Sequence, residues 1–173
     1  PYKDPTRTSY KGVCHKALPE EGHVRPGEIL LGTDSHTCTA GAFGQFATGV
    51  GNTDAGFTLG TGKTWLKVPQ TMKFVFHGQI PPYLTAKDLI LAVIGEISVS
   101  GATYRSMYFT GSGIASLTLE DRMTLTNMAI EAGGKNGVCD VDEKTLQYVR
   151  KRSNVPHWQV VEEDADAAYH SVY

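Results

Sequence analysis

Cysteine is scarce in this sequence, which has three, at positions 14, 38 and 139. An odd number of widely separated cysteines does not make a disulfide framework, and it is typical of a protein from a reducing compartment. We therefore predict a cytoplasmic protein. The C-x-x-C motif is absent as well. The usual zinc or iron–sulfur ligand pair is thus missing from these 173 residues.

Excess charge of one sign and long hydrophobic runs are also lacking. Lys and Arg number 16 against 18 Asp and Glu, which gives a formal net charge of −2. This near-neutral balance lacks the excess positive charge that is typical of nucleic-acid-binding proteins. No apolar run approaches the roughly 18 residues of a membrane span. An initiator Met and a signal peptide are missing too, so we expect a piece of a longer protein.

Alternating strand and helix patterns predict an α/β fold. After a Pro- and Gly-rich extended lead-in over 1–27, a strand is expected at 28–32 and another at 71–76. Helical spacing of small and apolar residues follows the first strand over 42–50, and helices are expected after Thr85 and Thr118 and from Asp142. A break near 66–70 predicts two domains, 1–67 and 68–173, the second ending in a peripheral acidic tail.

Glycine is plentiful between positions 32 and 62, where it suggests nucleotide binding at first sight. Gly60-Thr61-Gly62-Lys63-Thr64 resembles the end of a phosphate-binding loop. However, that loop requires glycine at position 57, which is Phe. The dinucleotide motif beginning at Gly49 fails similarly, because position 54 is Asp. Nucleotide binding is therefore disfavoured.

Three polar groups remain as candidates for chemistry. Asp34-Ser35-His36 follows the predicted first strand, where open α/β sheets place ligand-binding residues, although such a triplet also suits an ordinary turn. His15 is able to serve as an acid or base, or simply as a structural hydrogen-bonding residue. Asn127 and Glu131 are four apart on a predicted helix and should share one face, directed either to solvent or into a polar site.

Several of these segments together resemble the aconitase superfamily. They are Gly32-Thr33-Asp34-Ser35-His36-Thr37, the Gly-rich run to Gly51, Thr85-Ala86-Lys87-Asp88 and the segment from Asn127 to Gly133. Within that superfamily, they are most similar to the isopropylmalate dehydratase branch. The resemblance implies an aconitase-like α/β fold, with the end of the first domain followed by the second. It also implies a hydro-lyase that isomerises a hydroxy-acid by dehydration and rehydration.

The resemblance also implies roles for individual side chains. His36 would hydrogen-bond the departing hydroxyl, and Glu131 would pair with His36 and orient it. Asp34 would pair with His15 in the same way. These four residues are the expected catalytic residues.

Ser35 would contact substrate, and Asn127 would support the cofactor or the bound ligand. The implied cofactor is a 4Fe-4S cluster that acts as a Lewis acid. In the family, its three cysteine ligands lie downstream of the matched region. Cys14, Cys38 and Cys139 are therefore not expected to be ligands, and no metal-binding residue is predicted here.

The expected partners are a small-molecule hydroxy-acid, the remainder of a large subunit, and a small subunit that carries a swivelling domain with the catalytic base. Because these parts are missing, we expect the isolated chain to be inactive and to expose apolar surface. Homoaconitase or another aconitase-like isomerase is the alternative function. A non-catalytic domain used for binding or assembly is a second alternative.

Overall fold

A computed structural model describes residues 4–173 and gives them an α/β fold. The α-helices of this region are α1 (Cys14–Glu20), α2 (Asn52–Thr61), α3 (Ala86–Ile97), α4 (Ser112–Ser116), α5 (Leu119–Asn127) and α6 (Glu143–Arg150). The strands are β1 (Ile29–Gly32), β2 (Phe46–Gly49), β3 (Thr71–Val75), β4 (Ser106–Thr110), β5 (Asn136–Cys139) and β6 (Ser171–Val172). The first 3₁₀ helix is Ser35–Phe43, and the second is Met128–Ala132.

All strand pairs in this region are parallel, as expected of an α/β fold. Strands β1 and β2 form a small sheet in which Ile29 lies opposite Phe46. The larger sheet has the order β5-β4-β3-β6. Helices pack against it because the sequence between successive parallel strands must cross back over the sheet.

The main core lies between the larger sheet and helices α3 and α5. Met72 and Phe74 of β3 alternate with less buried residues, and Ile90 of α3 is fully buried against them. Helix α3 begins where predicted, since Thr85 and Asp88 form a reciprocal capping box. The predicted strand at 71–76 and the predicted beginnings of helices after Thr85, after Thr118 and at Asp142 are confirmed.

A second core cluster fixes the first 3₁₀ helix. Phe43 at its end is fully buried and packs with Val24 and Val149, while Tyr148 of α6 lies 5.2 Å from the Phe43 ring. Every residue from Thr37 to Phe43 is buried. A 3₁₀ helix of nine residues is unusually long, and this packing explains why it persists.

Three local predictions were wrong. The lead-in, whose residues 1–3 lie outside the described residues, contains helix α1 with Pro19 near its end. The helical spacing over 42–50 gives way to strand β2, because Gly44 adopts φ +71° and ends the 3₁₀ helix. The acidic tail is only partly peripheral. Glu163 accepts a hydrogen bond from Lys73 at 2.6 Å, and β6 extends the larger sheet next to β3.

Helix α2 presents an exposed apolar surface. None of its residues is buried, and Leu59 is 89% exposed. The large apolar side chains that are exposed here, termed the α2 surface, are Phe57 and Leu59 of the helix and Trp65 and Val68 in the segment after it. None of the helices within residues 4–173 has the length and hydropathy that a membrane span requires.

Candidate active site

Asp34 begins the site by capping the first 3₁₀ helix. Strand β1 ends at Gly32, and Asp34 then has the extended backbone conformation of an N-cap residue. Its Oδ1 accepts a hydrogen bond from the backbone N–H of His36 at 2.8 Å. A carboxylate suits this position because it satisfies a backbone donor that has no partner within the helix. The predicted turn at Asp34-Ser35-His36 is therefore the beginning of a helix.

The same carboxylate pairs with His15, as the resemblance implies. His15 Nε2 lies 2.8 Å from Asp34 Oδ1, and helix α1 carries the imidazole there. The His15 side chain is only 14% exposed. The His36 N–H, and then the His15 ring, lower the pKa of Asp34, because both interactions favour the ionised carboxylate.

His36 pairs with Glu131, which is 95 residues away in the sequence. His36 Nε2 lies 3.0 Å from Glu131 Oε1. Glu131 belongs to the second 3₁₀ helix, which ends at Gly133 with φ +82°. Both side chains are partly open to solvent, with 36% of His36 and 51% of Glu131 exposed. The pair is thus accessible to a small molecule.

The contacts distinguish the two ring nitrogens of His36. Nε2 contacts Glu131 Oε1, whereas Nδ1 lies 3.7 Å from Asp34 Oδ1. Nδ1 lies 3.2 Å from Ser35 Oγ, so an imidazole nitrogen and a hydroxyl are adjacent. The ring centroids of His15 and His36 are 6.5 Å apart. Two carboxylate-oriented imidazoles therefore lie within the span of one small substrate.

Asn127 contacts the first 3₁₀ helix at a different residue. Its Nδ2 donates to Thr39 Oγ1 at 2.8 Å, and that hydroxyl donates to the His36 carbonyl at 2.7 Å. Thr39 did not emerge from the sequence reasoning. Because a 3₁₀ helix has three residues per turn, His36 and Thr39 lie on one face, and this spacing could have identified Thr39.

The prediction that Asn127 and Glu131 share one face of an α-helix was wrong. Helix α5 ends at Asn127, and the second 3₁₀ helix carries Glu131, so the i,i+4 geometry is lost. The two side chains still reach the same element, since one contacts Thr39 and the other His36.

Two clefts open beside these residues. His15 and Asn127 line a cleft of about 470 Å³, together with Lys16 and Lys87. Ser35 lines a second cleft of about 650 Å³. Both volumes fall within the range of small-molecule sites.

The cysteines do not fit as ligands of an iron–sulfur cluster. Within residues 4–173, no group of three His, Cys, Asp or Glu side chains is arranged to hold a metal ion. Burial raises the pKa of Cys38 to about 11 and that of Cys139 to about 12, so both are protonated thiols in this fold. The Cys38 thiol also donates to the Asn127 carbonyl at 3.4 Å. Cys38 and Cys139 are therefore structural thiols.

Removing the Asp34 carboxylate should loosen the first 3₁₀ helix. We expect Asp34→Ala to reduce the free energy of opening of the first turn of this 3₁₀ helix by about 1 kcal/mol at neutral pH. Asp34→Asn should reduce it by less, because the Asn side chain still accepts the hydrogen bond from the His36 N–H. Because the folded pKa of Asp34 is lowered, its ionised form stabilises the fold above about pH 4. That stabilisation should be lost as the pH falls further.

Hydrogen exchange of peptides that cover 34–43, corrected for intrinsic rates, measures this opening. Asp54→Ala is the control, because Asp54 lies in the first turn of exposed helix α2. Equal exchange in Asp34→Ala and wild type would contradict the capping role.

Comparison with known proteins places this chain in a family. The pattern of the aconitase family (aconitate hydratase) matches residues 2–173. The chain is 65% identical over 164 residues to the chloroplastic 3-isopropylmalate dehydratase large subunit of Arabidopsis thaliana. The matched residues make up 95% of the chain and 32% of that relative. It is 54% identical over 163 residues to the 3-isopropylmalate dehydratase large subunit of Aquifex aeolicus, covering 94% of the chain and 38% of the relative. The chain spans about a third of these relatives' lengths, and it belongs to the aconitase family.

Proposed function

We propose that this chain is part of the large subunit of a 3-isopropylmalate dehydratase, a hydro-lyase of leucine biosynthesis. The enzyme would move a hydroxyl group between neighbouring carbons by dehydration and rehydration. The names and identities of the relatives from Arabidopsis thaliana and Aquifex aeolicus support this proposal. The His36–Glu131 pair beside Ser35 is the observation that carries it.

Dehydration removes hydroxide from one carbon and a proton from its neighbour. Hydroxide is a poor leaving group, so a proton donor at the oxygen lowers the barrier. His36 Nδ1, next to Ser35 Oγ, is positioned to donate this proton, and the Glu131 carboxylate stabilises the imidazolium through Nε2. In rehydration the same nitrogen takes the proton back from water. The His15–Asp34 pair supplies a second oriented imidazole at the site.

The rest of the machinery is proposed to come from outside this chain. We propose that a 4Fe-4S cluster, held by cysteines elsewhere in the large subunit, supplies Lewis-acid chemistry when bound. A small subunit would provide the base that removes the proton from carbon. The exposed α2 surface supports association with further polypeptide. The division into domains 1–67 and 68–173 stays a prediction.

The compartment is likewise a proposal. Scattered free cysteines support a reducing compartment, and we propose the cytoplasm. The name of the Arabidopsis thaliana relative says chloroplastic, so the chloroplast is the alternative for a plant protein.

Activity of the whole enzyme tests the function. The full-length large subunit, expressed with its small subunit and handled anaerobically, is assayed with 3-isopropylmalate and with homocitrate. We expect turnover with 3-isopropylmalate and a kcat/KM at least about 100-fold lower with homocitrate, because each substrate fills a differently shaped pocket. Preference for homocitrate would establish homoaconitase instead. Absence of turnover with both, in an enzyme with a complete cluster, would favour the non-catalytic alternative.

A further inference from the structure

We propose that Lys135 binds a carboxylate of the substrate in the cleft lined by Ser35, an inference that rests on the proposed function. Lys135 lines this cleft of about 650 Å³ directly before strand β5. The other charged residue among those lining it is Asp54, on helix α2. A hydroxy-diacid needs a cation at such a site, because its carboxylates lose hydration when they enter.

Backbone contacts fix Lys135 at the junction of the two sheets. Its N–H donates to the Arg105 carbonyl at 2.8 Å, and its carbonyl accepts a hydrogen bond from Thr48 Oγ1 at 2.8 Å. Arg105 precedes β4, whereas Thr48 belongs to β2. The Cα position of Lys135 is therefore held from both sides, and its side chain extends from a rigid base.

The ammonium group lies at the end of β2, close to the Asp34–Ser35 backbone. Lys135 Nζ is 3.3 Å from the Gly49 carbonyl. Gly49 packs so closely on this segment that a Cβ there would lie 2.9 Å from the Asp34 carbonyl oxygen and 3.1 Å from Ser35 Cα. One glycine thus separates the Lys135 ammonium from the backbone of Asp34 and Ser35.

Within residues 4–173, the groups that contact the Lys135 ammonium do not neutralise its charge. They are the Gly49 carbonyl and the Tyr104 ring, whose centroid is 5.5 Å from Nζ, and both are uncharged. An ammonium group has three donors, so it can bind a carboxylate as well. Tyr104 has φ +55°, an uncommon conformation for an aromatic residue, and this places its ring beside the Lys135 ammonium.

Substitution of Lys135 tests this role in the full-length enzyme with its small subunit. We expect Lys135→Met to raise KM by about 10- to 100-fold, because it removes a charge-assisted hydrogen bond to the substrate. The value of kcat should change by less than about threefold. Lys135→Arg should recover most of this loss because it restores the charge. Lys151→Met, at an exposed position, is the matched control and should leave both constants unchanged.

Malonate binding provides a readout that does not depend on turnover. We expect calorimetry to show malonate binding to the wild-type enzyme at least about 10-fold more tightly than to Lys135→Met. Equal malonate affinity, or a fall in kcat at unchanged KM, would overturn the inference and leave Lys135 as a structural tether. If the wild-type enzyme bound malonate through Lys135 but did not dehydrate 3-isopropylmalate, the result would contradict the proposed function and support the carboxylate site.

Discussion

Replacing His36 with Asn is expected to lower the kcat of the full-length dehydratase by about 10²- to 10⁴-fold, the range for loss of a general acid–base residue. The Asn side chain retains a hydrogen-bonding group near Ser35, yet it cannot be protonated at neutral pH. KM should change little, because the proton is transferred in the transition state. Steady-state kinetics in both reaction directions measures the loss.

Substitution of Glu131, whose carboxylate pairs with His36, is a milder perturbation of the same group. Glu131→Gln keeps the size and acceptor oxygen of Glu131 but removes the charge that stabilises the imidazolium. We expect a smaller fall in kcat than in His36→Asn, because the imidazole remains in place but loses the carboxylate that orients it. An unchanged urea-unfolding midpoint separates this effect from simple misfolding.

Matched controls come from the exposed surface. His157→Asn replaces an exposed histidine, and Glu143→Gln removes a carboxylate that pairs with exposed Arg150. Both variants should keep the wild-type kcat. A His36→Asn enzyme that retained kcat within about threefold of wild type would show that another group donates the proton.

Local sequence patterns predicted those parts of the fold that depend on neighbouring residues. The capping box of Thr85 and Asp88 and the N-cap at Thr118 each satisfy backbone donors within four residues, so their signals are visible in the sequence. Met72 and Phe74 likewise marked a buried strand face. Helix α1 was missed because Pro and Gly around it suggested a loop, although Pro19 lies near the helix end.

The site depends on contacts that no local pattern contains. His36 and Glu131 meet across 95 residues, and only resemblance to a family suggested the pair. Local spacing even gave the wrong geometry for Glu131, because an α-helix changes into a 3₁₀ helix after Asn127. That transition follows from packing against the first 3₁₀ helix, which is a tertiary effect.

Arg122 should be the most sensitive structural position beneath the site. Its side chain is 1% exposed, and Nη2 lies 2.5 Å from Asp142 Oδ2. Nη1 and Nη2 also donate to the carbonyls of Asp140 and Ala115. Helix α5 is thereby tied to the start of α6, where Asp142 is the N-cap. We expect Arg122→Ala to reduce the free energy of unfolding by about 3 kcal/mol, at the lower end for a broken buried pair because Asp142 is partly exposed.

Measurements over pH distinguish loss of the ion pair from loss of packing. Burial opposes ionisation of Asp142, but hydrogen bonds from Arg122 and the Thr145 N–H outweigh it and lower the pKa of Asp142. The pair therefore stabilises the fold above about pH 4, and this contribution is lost as the pH falls through the lowered folded value. In urea unfolding, the difference between wild type and Arg122→Ala should shrink at acid pH.

Arg122→Met retains most of the side-chain volume, so its deficit at neutral pH reports the lost ion pair and hydrogen bonds. Arg150→Ala breaks an exposed ion pair with Glu143 and should cost less than about 1 kcal/mol. A pH-independent deficit in Arg122→Ala that is much larger than the deficit in Arg122→Met would assign the effect to packing. Helix α5 ends at Asn127, whose side chain contacts Thr39, and Thr39 in turn contacts the His36 carbonyl. Loss of the Arg122–Asp142 ion pair should therefore also lower kcat at temperatures where the enzyme remains folded.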